Sequence, residues 1–163
     1  VTVNLSARQL ADPALPGWVE AVLTRHALRA DRLILDIPEI VIAGAALDGG
    51  PELQHLREIA DLGVRIAVDD AGTGPAAPTY LPSVPVSILK IDGRFVRALR
   101  DRDEAPVVGA LIDLAHQLDL LALAEGIENE GEIDVLADMG CDLGQGYAIG
   151  RAMSPDRIAT LLV

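Results

Sequence analysis

Residues 64–74 read Val64-Arg65-Ile66-Ala67-Val68-Asp69-Asp70-Ala71-Gly72-Thr73-Gly74. An apolar run that stops abruptly on two acids and enters a loop with glycine at alternate positions is a strand whose C-terminal end carries polar chemistry. Taken alone, Asp69 to Gly74 matches neither a dinucleotide fingerprint nor a P-loop, and an ordinary turn would look similar. Its weight comes from repetition.

The same arrangement recurs along the chain. Short apolar runs at Val1 to Asn4, Leu33 to Asp36, Val64 to Asp69, Val86 to Ile91, Leu121 to Glu125 and Leu143 to Tyr147 alternate with longer amphipathic stretches. That alternation predicts β/α units around a parallel sheet. Helices are expected at Trp18 to Leu28, Pro51 to Gly63, Arg94 to Leu99, Pro106 to Leu118, Glu130 to Met139 and Asp156 to Leu162, the last capped by Ser154. With six such units and no linker, the chain reads as one α/β domain, an incomplete TIM-type (β/α) barrel.

Each strand is apolar until its end and then places a ligand-type residue there: Asn4, Asp36, Asp69 with Asp70, Lys90 with Asp92, Glu125 with Glu128, and Gln145. In a parallel barrel these ends share one face, the face that carries the chemistry. Any single member suits a turn former or helix cap equally well. Several carboxylates brought together repel one another unless a proton or a cation relieves them, so the set favours a hard divalent ion. Oxygen donors without clustered His or Cys point to Mg²⁺ or Mn²⁺, with Ca²⁺ open. Lys90 is the single lysine against twelve arginines. A compact ammonium with a tunable pKa does what guanidinium cannot, although a lysine that merely balances neighbouring acids fits as well.

Composition narrows the partners. The 163 residues are half apolar and carry a formal charge of −12, the wrong sign for gripping a DNA or RNA duplex or an anionic membrane. No apolar stretch is long enough for a membrane span. The single cysteine, Cys141, fits a reducing compartment, so the cytoplasm is expected, and it reads as a small buried filler. His26, His55 and His116 fall in expected helices as surface or boundary residues, without metal-ligand spacing. The first residues show neither an initiator methionine nor a signal-peptide pattern, so the chain is expected to begin inside a larger gene product.

These strand ends resemble the EAL-domain family, phosphodiesterases that cut the bacterial messenger cyclic di-GMP and fold as a modified TIM barrel. Asn4-Leu5-Ser6 resembles its NLS element, Leu35-Asp36-Ile37-Pro38-Glu39 its E-x-T-E segment, and Asp69 to Gly74 its DDFGTG. Ile88-Leu89-Lys90-Ile91-Asp92 is similar to LKID, Glu125-Gly126-Ile127-Glu128 to EGVE, and Gln145-Gly146-Tyr147 to QGY. The resemblance covers essentially residues 1–163, in the family's order, as the C-terminal part of an EAL-type barrel domain. It implies that Asn4, Asp36, Asp69, Asp70 and Glu125 occupy metal-ligand positions of a two-metal Mg²⁺ or Mn²⁺ site. It further implies that Lys90 contacts the water nucleophile, that Gln145 and Glu128 support the catalytic site, and that Glu39 steadies the loop after Asp70. Cyclic di-GMP is the implied ligand, a homodimer an implied assembly, and other signalling domains are implied upstream.

The sequence also departs from the family. The name-giving Glu-Ala-Leu segment is absent from this chain, and Glu20-Ala21-Val22 falls inside an expected helix. Asp36 stands where glutamate is usual, which withdraws the carboxylate by roughly one carbon-carbon bond, ~1.5 Å. Pro38 replaces threonine, Ala71 replaces phenylalanine, and Pro75 to Pro78 lacks the family's serines. Three readings follow: a phosphodiesterase fragment with weak or no turnover by itself, an inert cyclic di-GMP sensor or interaction module, and an unrelated barrel enzyme with Lys90 as a Schiff-base nucleophile.

Overall fold

The computed structural model describes residues 1–73, 78–99 and 105–161. Gly74 of the glycine-rich loop, the serine-free stretch over residues 75–77, and Leu162 at the end of the last expected helix lie outside them.

Six strands form one sheet in chain order: β1 (Thr2–Asn4), β2 (Ile34–Pro38), β3 (Arg65–Ala71), β4 (Ile88–Ile91), β5 (Leu121–Ala124) and β6 (Leu143–Gly144). Every neighbouring pair is parallel. The sheet curls into a half-barrel with helices along its outer side, as the alternation of apolar runs and amphipathic stretches predicted. One face of the strands, with Leu35, Ile37, Ile66, Val68, Leu89 and Ile91, joins the main apolar core with helix residues such as Ile42, Leu56, Ile59, Val96 and Ile112. Each fully buried Leu or Ile side chain contributes about 1.5–3 kcal/mol by leaving water. That core holds the strand ends level.

The helices are α1 (Ala7–Leu10), α2 (Leu15–Arg25), α3 (Glu39–Asp48), α4 (Pro51–Asp61), α5 (Gly93–Ala98), α6 (Ala105–Gln117), α7 (Glu130–Asp138) and α8 (Pro155–Leu161). Two of them escape periodicity. At four residues α1 is too short to show a repeat, and a reciprocal capping box between Ser6 and Gln9 marks it instead. In α3, apolar residues surround the helix with almost no preferred side, and burial of Ile42, Ala43 and Ala45 secures it. A left-handed Gly49 at φ +60° ends it. The expected first helix at Trp18 begins earlier, at Leu15, with Pro16 in its first turn.

Strand β6 is shorter than the expected Leu143 to Tyr147. Its backbone pairing nevertheless continues past Gly144: Gln145 N–H donates to Ala124 O at 2.8 Å, and Ile127 N–H donates to Gln145 O at 3.1 Å. A Cβ on Gly146 would lie 2.1 Å from Ile127 O, so only glycine allows this approach. His55 corrects the surface reading of the histidines. It is buried on α4, with Nδ1 2.8 Å from Leu10 O, which ties α4 to α1. His116 pairs with Asp142 at 2.9 Å, and the half-buried Cys141 thiol donates to Leu143 O at 3.3 Å.

Candidate metal centre

The site begins with a register irregularity. Val68 pairs with Leu89 and Ala71 with Ile91, so Asp69 and Asp70 together face Lys90 alone. In a regular strand consecutive side chains point to opposite faces, whereas a bulge re-aims both acids. Asp70 takes up the extra residue at φ +58°, a conformation that aspartate tolerates better than most side chains.

Asp36 from β2, Asp69 from β3 and Glu125 just after β5 converge on Lys90 of β4. The ammonium donates to Asp36 Oδ2, to Asp69 Oδ1 at 2.8 Å and to Glu125 Oε1 at 2.6 Å. One oxygen from each acid lies within 4.8 Å of the others. Lys90 and Asp36 are about 95% buried. Burial disfavours the ammonium, yet the three carboxylate hydrogen bonds outweigh it and hold Lys90 above its ordinary pKa. Burial likewise pushes the Asp36 and Glu125 carboxyls up, and Lys90 pulls against that without cancelling it. Asp70 is raised by burial and then by the charges of Asp69 and Asp92.

Two grooves flank this cluster. One, of about 320 Å³, is lined by Asn4, Ser6, Gln9, Asp36 and Asp69 among others. The second, of about 420 Å³, runs past Asp70, Asp92 and Glu125 to Glu128, Gln145 and Tyr147. Among the expected site residues, then, Asp36, Asp69, Lys90 and Glu125 touch, Asn4 opens one groove, and Asp70, Glu128 and Gln145 line the other. Glu128 is placed by α7, whose Glu132 carboxylate accepts its backbone N–H at 2.7 Å.

Glu39 lines neither groove. It is buried at the start of α3 and accepts a 3.1 Å hydrogen bond from Tyr80, just beyond the glycine-rich loop. Tyr80 was not visible as a site residue, since nothing local marks a contact spanning 41 positions. Arg97, on the wall of the second groove, was likewise not anticipated.

The donors suit a hard divalent ion. All are oxygens, Asp36 Oδ1 is buried without a hydrogen-bond partner, and three carboxylates facing one ammonium leave two negative charges to balance. The three carboxylates around Lys90 also argue against the Schiff-base reading, because they favour the ammonium over the neutral amine that chemistry needs.

A family model described as the EAL domain matches residues 1–152. The chain belongs to the EAL-domain family. It is 38% identical over 159 residues to the bifunctional diguanylate cyclase/cyclic di-GMP phosphodiesterase MucR of Pseudomonas aeruginosa, spanning 97% of this chain and 23% of that protein. A solved structure of the PaMucR phosphodiesterase in complex with c-di-GMP superposes with a TM-score of 0.87 at 38% identity, covering 96% of this chain and 63% of that one. The EAL domain of Mycobacterium smegmatis DcpA gives 0.89 at 31% identity, over 99% and 71%. Among the described residues, no helix is long and apolar enough to cross a membrane.

Proposed function

We propose that this chain forms the metal-binding and nucleotide-binding floor of a cyclic di-GMP site, and that by itself it binds the ligand and turns it over negligibly. The observation that carries the reading is the convergence of Asp36, Asp69 and Glu125 on Lys90 at the strand ends.

In this reading Asn4, Asp36, Asp69, Asp70 and Glu125 hold Mg²⁺ or Mn²⁺. When bound, such ions supply Lewis acidity and charge neutralisation at a phosphodiester. Lys90 faces the attacking water, and a hydrogen bond to that water takes the place of one of the three its ammonium donates to Asp36, Asp69 and Glu125. Gln145 and Glu128 position the ligand side of the second groove. Glu39, through Tyr80, steadies the segment after Asp70. The acidic surface repels a doubly anionic nucleotide, so binding depends on the cation.

Asp36 favours the second reading, a catalytically inert cyclic di-GMP sensor or interaction module. Its carboxylate is one methylene shorter than the family's glutamate, and Mg²⁺ tolerates misplaced ligands poorly. Calorimetry with cyclic di-GMP, with and without Mn²⁺, together with chromatography for linear product, tests both. Metal-dependent binding with little linear product is expected. Substantial turnover overturns the inert reading, and the absence of binding even with Mn²⁺ overturns the site.

A further inference from the structure

The second groove holds a cation that the metal reading leaves unused. Arg97 lies one turn into α5, and its guanidinium rests against bare backbone: a Cβ on Gly93 would come 3.2 Å from Nη1, and a Cβ on Gly126 would come 3.4 Å from it. Two glycines from separate elements thus make room for it. Although Asp70, Asp92, Glu125 and Glu128 line the same groove, Arg97 forms no ion pair among the described residues. Its five N–H donors therefore remain available at the groove wall.

Tyr147 ends the groove with about two-thirds of its surface exposed, and Arg151 lies 4.6 Å over its ring. An exposed aromatic at a groove rim offers a stacking platform that accepts any base. A fork of donors on the wall of the same groove distinguishes among bases. Guanine presents two acceptors on one edge, O6 and N7, which arginine meets with paired hydrogen bonds, whereas adenine places an amino donor where guanine has O6.

On the strength of the proposed cyclic di-GMP site, we infer that Arg97 is a specificity residue that reads the O6/N7 edge of a guanine stacked on Tyr147. Arg97 selects the base and Tyr147 holds it. The two substitutions therefore have different signatures.

Equilibrium titration of this chain with cyclic di-GMP and with cyclic di-AMP, in the presence of Mn²⁺, tests the assignment. Arg97→Met is expected to weaken cyclic di-GMP binding about 10- to 100-fold and to leave cyclic di-AMP unchanged, the range for one bidentate base contact. Tyr147→Ala weakens both ligands by similar factors. An equal loss of both ligands in Arg97→Met, as an anchor for phosphate would produce, overturns the assignment, and so does an unchanged cyclic di-GMP affinity. Arg97 is exposed, so equal melting temperatures check that the variant is folded. Failure of the unsubstituted chain to bind either ligand would overturn this inference together with the site on which it rests.

Discussion

Lys90 shows how far a single side chain decides the behaviour of the site. It balances three acids at once, two of them with raised carboxyl pKa values, and truncation leaves those acids facing each other. Breaking a buried pair by removing one partner costs about 3–5 kcal/mol, a large share of a typical domain's 5–15 kcal/mol. Lys90→Met is therefore expected to lower the urea midpoint sharply at pH 7. Asp36 and Glu125 bind protons more tightly folded than unfolded. Their contribution is present below the unfolded carboxylate range, near pH 4, and is lost as pH rises through the folded values. The deficit of Lys90→Met should accordingly shrink as pH is lowered from 7 toward 4, and a constant deficit would contradict the charge argument. Asp36, Asp69, Lys90 and Glu125 were all legible in sequence as strand-end residues. Arg97 and Tyr80 were not, because neither stands at a strand end, where the alternation of apolar and polar residues marks the chemistry.

Among elements, the link between β5 and β6 places the second groove. Gly146 packs on the Ile127 backbone, and Gln145 is clamped between Ala124 and Ile127. Gly146→Ala forces that backbone apart, with an expected cost of about 1–3 kcal/mol as for other overpacked sites. Loss of cyclic di-GMP affinity should accompany the lowered melting temperature. A second tie joins α6 to the start of β6. Burial would raise the Asp142 carboxyl, but the Ala122 N–H at 2.8 Å and His116 at 2.9 Å outweigh it and hold Asp142 below its usual value. Its stabilisation is present above the unfolded carboxylate pKa and disappears as pH falls through the folded one. Asp142→Asn should thus cost no more than about 1 kcal/mol near neutrality, given its exposure, and progressively less as the pH falls through the folded Asp142 value. Acid melting curves of the two proteins should converge.

For the molecule as a whole, a charge of −12 acts against compactness. Screening should raise the melting temperature as NaCl increases. Mg²⁺ or Mn²⁺ should raise it further at matched ionic strength, because an ion that binds only the folded state stabilises it by mass action. Addition of chelator should reverse the extra shift, and equal effects of Mg²⁺ and NaCl would argue against a specific site.

The chain's apolar runs and their polar ends, by themselves, determined a parallel β/α architecture, the side of the sheet that carries chemistry and the residues gathered there. Local patterning is sufficient for that, because strand period and loop chemistry are properties of neighbouring residues. Only the tertiary structure decided that Asp69 and Asp70 share a bulge opposite Lys90, that α3 is a helix, that Glu39 meets Tyr80, and that Arg97 lies on two glycines. Apart from the four-residue spacing of Gly93 and Arg97 within α5, each of these depends on packing between elements, and no pattern along the chain encodes such a distance.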